Sequence, residues 1–250
     1  MKVVVLAAGY ATRLYPLTLT QPKALLPVAG KPMIDYVLDN LAPIKDLGRI
    51  YIVTNAKFVR HFQEWSDHYR ATKAKLDFTI VNDGSTDDSN KLGAIGDLNF
   101  VLRTQHVDDD VIAVAGDNLF SQPLAAFGHY CREVKAPVLA VYDVGNPADI
   151  KKYNAITIDA TGRITFFQEK PTNATSTLTG IALYFYPRAT LPLIHKYIAA
   201  GNNPDQPGRL VEWLYRQTPV YTWRVPGLWY DIGSKESLVE ANRIFAQAAG

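Results

Sequence analysis

Short runs of β-branched and aliphatic residues alternate along this chain with longer segments whose apolar positions recur at helical spacing. Lys2–Leu6 is apolar through its middle and reads as a buried strand, after which a long loop runs to Gly30. Pro32 sits where a proline opens a helix, and Met33, Val37, Leu38 and Leu41 continue at helical spacing. Further strands are expected at Ile50–Val53, Leu76–Val81, Val111–Ala115 and Val138–Val144, and helices at Lys57–Arg70 and Leu92–Thr104. Strand–helix alternation with short connections predicts an α/β fold, a mostly parallel sheet sandwiched by helices. Ligands of such sheets bind beyond the carboxyl ends of the strands, which directs attention to residues just after the first, third and fourth.

The second half is patterned differently. Ala155–Ile158 and Arg163–Gln168, joined by Asp159-Ala-Thr-Gly162, read as an antiparallel hairpin. Gly180–Phe185 predicts another strand, Ala189–Ala200 a helix, Gly201–Gly208 a loop, Leu210–Arg216 a short helix and Val220–Val225 a strand. A closing helix is expected from Lys235 to about Ala248, capped by Ser234. No repeat or flexible linker interrupts the chain, so the second half is expected to wrap the same sheet within a single domain, 1–250.

Composition narrows the partners. A net charge of +2 over 250 residues is too small to point to nucleic acid or an anionic membrane. The single cysteine, Cys131, excludes an intrachain disulfide. No apolar run reaches the length of a membrane span, and Met1–Ala8 lacks the basic segment of a signal peptide, so a cytoplasmic protein is expected. Asn173-Ala174-Thr175 matches a glycosylation acceptor, which carries little weight without an export signal. The histidines are scattered without metal-ligand spacing.

Local charge says more. Among the first 34 residues, Lys2, Arg13, Lys23 and Lys31 meet no acidic residue. Ala7, Ala8 and Gly9 are small enough for the backbone to approach a ligand closely, with amides facing phosphate oxygens, while Arg13 and Lys23 add mobile positive charge. Neither common glycine-rich phosphate motif is present, and on spacing alone a structural loop with surface basic residues is an equal reading. Gly116-Asp117-Asn118 follows an apolar strand, where an aspartate is well placed to hold a cation, although a lone G-D-N is more often a turn or cap.

From Met1 to about Asn242 the chain resembles the sugar-1-phosphate nucleotidylyltransferases, of the glucose-1-phosphate thymidylyl- and uridylyltransferase kind. Leu6-Ala-Ala-Gly-Tyr-Ala-Thr-Arg-Leu-Tyr-Pro-Leu-Thr18, then Pro22-Lys-Ala-Leu-Leu-Pro27 and Lys31-Pro-Met-Ile34, follow that family's signature in order. One departure falls inside it: Ala11 stands where the family has its second glycine. The resemblance implies a Rossmann-like sheet in which 1–120 mainly binds nucleotide and 121–250, hairpin included, mainly binds sugar phosphate. It implies that Leu6, Ala7, Ala8, Gly9 and Thr12 wrap the triphosphate, and that Arg13 and Lys23 act on it. Asp117, and Asp231 within Gly227-Leu-Trp-Tyr-Asp-Ile-Gly-Ser234, become the expected ligands of Mg²⁺.

In Glu169-Lys170-Pro171, weak as a motif by itself, the resemblance assigns Lys170 to the sugar phosphate beside Glu169, with Thr179 and Gly180 close to the sugar. Asn154 replaces a glycine usual near the sugar. The base-binding region departs most. Asn82 stands where relatives carry a glutamine and Gly93 where they carry a base-contacting glycine, so base identity does not carry over; Asp83 to Asn90 reads equally as a solvated loop.

The implied reaction joins a nucleoside triphosphate and a sugar-1-phosphate, with room for a homo-oligomer of unfixed size. After Asn242 the sequence holds nothing like the β-helix of some relatives, so acetyl transfer is not expected. Two other readings remain: a cytidylyltransferase acting on a non-sugar phosphate, and a non-catalytic regulatory homologue that binds nucleotide sugars.

Overall fold

A computed structural model describes residues 1–73, 76–172 and 176–248; the glycosylation-type triplet at 173–175 lies outside them. The first half runs β1 (Lys2–Leu6), β2 (Pro27–Val28), β3 (Lys31–Pro32), α1 (Met33–Leu41), β4 (Ile50–Thr54), α2 (Val59–Lys73), β5 (Phe78–Asn82), α3 (Ala94–Thr104), β6 (Val111–Ala115) and β7 (Asn118–Phe120). The second runs α4 (Ala125–Val134), β8 (Val138–Asp143), β9 (Asn154–Ile158), β10 (Ile164–Glu169), β11 (Leu178–Tyr186), α5 (Leu191–Ala199), α6 (Pro207–Leu214), β12 (Tyr221–Arg224), β13 (Trp229–Asp231) and α7 (Lys235–Ala248).

Seven strands form the central sheet in the order β12-β8-β11-β6-β1-β4-β5. Strands β6, β1, β4 and β5 are mutually parallel, and β11 enters antiparallel to both β6 and β8. Val3, Val4 and Val5 are all fully buried because both faces of the sheet are covered: Val3 and Val5 join one apolar cluster and Val4 the other. That double burial is why the central strands read as unbroken apolar runs. The mostly parallel α/β architecture is the one the pattern predicts.

Three differences have physical causes. Helix α6 starts at Pro207, inside the segment expected to be loop, with the proline in its first turn where a missing N–H costs nothing. Helix α4 is absent from the expectation; Gly128 interrupts its pattern, yet a Cβ there would lie 2.4 Å from Ile44, so the glycine serves close packing. The pair β7–β13 consists of three-residue strands that only tertiary pairing can define.

Ser234 caps α7 as expected: its hydroxyl accepts from the Ser237 amide (3.2 Å), and the Ser237 hydroxyl accepts from the Ser234 amide (2.9 Å). Phe245 and Ala241 of α7 pack with Leu14, Leu26 and Val28 from the first loop. Asn242 accepts a hydrogen bond from the Ala29 amide at 2.9 Å, so the closing helix braces the opening loop.

Candidate active site

The first loop leaves β1 along the floor of a cleft of about 510 Å³ at the carboxyl ends of the parallel strands. Leu6, Ala7, Ala8, Gly9, Thr12, Arg13 and Lys23 all line it. Ladder bonds fix the loop's start, with the Ala7 amide donating to Val53 and the Gly116 amide to Leu6 (both 2.9 Å). Buried Asn55 donates to the Ala8 carbonyl at 2.8 Å. Ala11 adopts φ 47°, ψ 46°, so the glycine-like conformation survives the loss of the glycine. Its carbonyl accepts from the Thr18 hydroxyl (2.8 Å) and the Leu14 amide (2.9 Å), which offsets the left-handed strain.

Antiparallel pairing of β7 with β13 brings distant carboxylates together. The register sets Asp231 opposite Asn118, beside Asp117 at the end of β6. Trp229 locks the pair by donating from Nε1 to Asn118 Oδ1 (3.1 Å), and Asn118 in turn donates to the Ala182 carbonyl (2.8 Å). Lys23 forms an ion pair with Asp117. Burial raises the Asp231 pKa, the charge on Asp117 raises it further, and Lys23 and Arg13 pull it back. A Cβ built on Gly233 would lie 3.5 Å from Asp231 Oδ2 and 3.7 Å from Arg13 Nη1, so both groups flank that glycine. Among the described residues no group of three or more His, Cys, Asp or Glu side chains is arranged to hold a metal. Two hard carboxylate donors short of a full cage fit Mg²⁺, which completes its shell with phosphate oxygens and water.

One arm of the cleft carries Tyr153, Asn154, Glu169, Gly180 and Trp229. Asn154 bridges strands, its Oδ1 accepting from the Gly180 amide (2.6 Å) and its Nδ2 donating to the Gly180 carbonyl (2.9 Å). Thr179 is fully buried behind it and donates to the Asn154 carbonyl (3.0 Å). Glu169 packs so closely that a Cβ on Gly208 would fall 1.8 Å from its Oε2. Burial pushes its carboxyl up to about 7 despite the nearby charges of Lys170 and Arg209. Lys170 itself is exposed at φ 48°, outside the cleft lining, with its amide donating to the Tyr153 carbonyl. Lys152, which the sequence did not single out, lines the rim and pairs with Asp149 (2.7 Å).

The other arm is lined by Asp88, Lys91, Gly93, Ala94, Asp97 and Asp205. Gly93 caps α3 at φ 79°, and a Cβ there would approach the Pro204 and Asp205 backbone to 2.7 Å. That contact lets the Ile95 amide donate to the Pro204 carbonyl (2.8 Å), satisfying a helix-end donor and carrying Asp205 into the site. Asn82 turns away: it is exposed, and its Oδ1 accepts from the Gly84 amide (2.9 Å). Asp97 was legible only as a charge on the apolar stripe of Ile95, Leu98 and Val101.

Burial, then the charge and hydrogen bond of Asp83 and the charge of Asp205, push the Asp97 carboxyl up to about 8. Its native pKa lies above the unfolded value, so the stability it contributes is complete at low pH and lost as pH rises through about 8. Asp97→Asn removes that titration. The variant's melting temperature, measured against wild type by scanning fluorimetry, is expected to gain as pH rises from about 4 to about 8 and to level off above that. A constant difference would mean that the carboxyl is already ionised at neutral pH.

A Rossmann-like sheet with a basic loop and two aspartates at its carboxyl edge is an arrangement suited to a phosphate-bearing ligand. The chain belongs to the nucleotidyl transferase family, whose pattern it matches over residues 2–248. It is 27% identical to the UTP–glucose-1-phosphate uridylyltransferase AglF of Haloferax volcanii, covering 97% of this chain and 96% of that one. It is 26% identical to the bifunctional protein GlmU of Methanocaldococcus jannaschii, over 97% of this chain and 54% of that protein. A provisionally named mannose-1-phosphate guanyltransferase of Sulfolobus acidocaldarius is 32% identical, over 96% of this chain and 61% of its own length. The chain thus spans little more than half of two of these relatives. The fold also matches a UDP-glucose pyrophosphorylase crystallised with UDP-glucose, at a TM-score of 0.82, 21% identity and 98% coverage of both chains.

Proposed function

We propose that this protein is a Mg²⁺-dependent nucleotidylyltransferase that joins a nucleoside triphosphate to a sugar-1-phosphate and releases pyrophosphate. One observation carries the reading: the β7–β13 register sets Asp231 beside Asp117, with Lys23 and Arg13 at the same point of the cleft. A sugar phosphate is already ionised at neutral pH, so in-line attack of its oxygen on the α-phosphorus needs no general base. The chain's task is to hold two anions against their repulsion and to neutralise charge as it builds. The first loop wraps the triphosphate, with Arg13 and Lys23 as its counter-charges. Asp117 and Asp231 hold the cation, which when bound neutralises charge on the phosphates. Glu169 and the Gly180 strand face the sugar, and Lys152, the lysine of this region that lines the cleft, serves the sugar phosphate. The relatives' names support both substrates.

The test is pyrophosphate release with each common nucleoside triphosphate crossed against a panel of hexose-1-phosphates. Release with at least one pair, dependent on Mg²⁺, is expected. No release from any pair would overturn the assignment and favour the regulatory or non-sugar readings.

A further inference from the structure

Helix α6 carries a glycine that is there for the room it leaves. Gly208 lies in the first turn without a positive φ, so its backbone conformation would suit most residues. Alanine would be the stronger helix former there. What excludes a side chain is Glu169: a Cβ on Gly208 would lie 1.8 Å from its Oε2 and 2.8 Å from its Cδ. The carboxyl at the end of β10 is therefore seated in a notch of α6, and both residues line the cleft. Its Oε2 is buried with no hydrogen-bond partner among the described residues, which leaves Oε1 to meet a ligand.

Seating the carboxyl this way works against stability. Burial pushes it up to about 7 despite the opposing pull of Lys170 and Arg209, and the charge of Glu212 adds to the rise. A weak helix former and a desolvated acid both oppose folding, and they adjoin the substrate cleft, so a role in binding accounts for the two together.

Resting on the nucleotidyl-transfer reading, in which Glu169 faces the sugar, we propose that Gly208 is a positioning residue that sets the choice of sugar phosphate. The notch holds the Glu169 carboxyl back, and so fixes both the width of that arm of the cleft and the point where Oε1 meets a sugar hydroxyl. A methyl group on Gly208 would push the carboxyl aside by about 1 Å or more, enough to break a hydrogen bond to a bound sugar. The three nearest atoms to that methyl all belong to side chains, so the flexible end of Glu169 can give way while the backbone stays.

The test measures initial rates of pyrophosphate release with Mg²⁺ for wild type, Gly208→Ala, Glu169→Asp and the double variant. It uses the most active triphosphate and a panel of hexose-1-phosphates. Gly208→Ala is expected to fold, by circular dichroism, and to raise KM for the preferred sugar phosphate about tenfold or more, with KM for the triphosphate within about twofold of wild type. Its ranking of the hexose-1-phosphates should shift as well. With E169D the carboxyl is shorter by a methylene and falls short of the notch, so adding Gly208→Ala should then change the sugar KM by less than about twofold. An unchanged sugar KM in Gly208→Ala overturns the inference. So does an equal rise in both KM values, the mark of general damage, or the same rise with and without E169D. Failure of Gly208→Ala to fold also overturns it, because the carboxyl then has nowhere to move. Those outcomes leave the nucleotidyl-transfer reading standing, whereas release of no pyrophosphate by the wild type with any pair overturns both.

Discussion

Replacing Asp117 by alanine is expected to lower kcat by about 10²–10³-fold while the chain keeps its fold. The carboxylate lines the cleft, and its partner is the largely buried ammonium of Lys23. Strands β6 and β7 on either side are held by backbone pairing and by Asn118 and Trp229. Lys23→Ala should fall into the same range, because it removes a fixed positive charge where the phosphates meet. The two effects should not add, since each residue works on the same cluster of charge. Initial rates of pyrophosphate release, with circular dichroism to verify folding, decide it. Near-normal turnover in either single variant sinks the roles assigned to both.

The largest stability effect is expected at Gly93. Its φ of 79° and ψ of 161° fall in a region almost confined to glycine, where another residue costs about 1–3 kcal/mol. The new Cβ would also press on backbone atoms of Pro204 and Asp205 at 2.7 Å, a contact no side-chain rotation relieves, which adds about 1–3 kcal/mol of overpacking. Gly93→Ala should therefore cost several kcal/mol in urea unfolding and detach the 204–205 loop from α3. Wild-type stability in this variant would mean that the loop is free to move away.

Much of this architecture is legible in the sequence because parallel strands buried on both faces spell continuous apolar runs. Val3-Val4-Val5 and Ile50–Val53 are of that kind, and their positions hold to within a residue or so. The first loop is legible because its chemistry is local, with Gly9, Arg13 and Lys23 close together in the chain. The rest of the site depends on long-range pairing. Asp231 meets Asp117 through strands too short to leave a pattern, and Asp205 reaches Asp97 only because Gly93 lets two backbones touch. Lys152 and Lys170 flank the same end of the β9–β10 pair, where Asn154 faces Glu169, and motif position alone does not say which of them lines the cleft.

The brace between Asn242 and Ala29 also sets an order of events during synthesis. The opening loop leaves the ribosome first, yet the helix that packs on Leu14, Leu26 and Val28 is made near the end of the sequence. Until that helix docks, a growing chain has its central strands but no settled cradle. The geometry of the first loop is thus settled late, by contacts that the closing helix supplies.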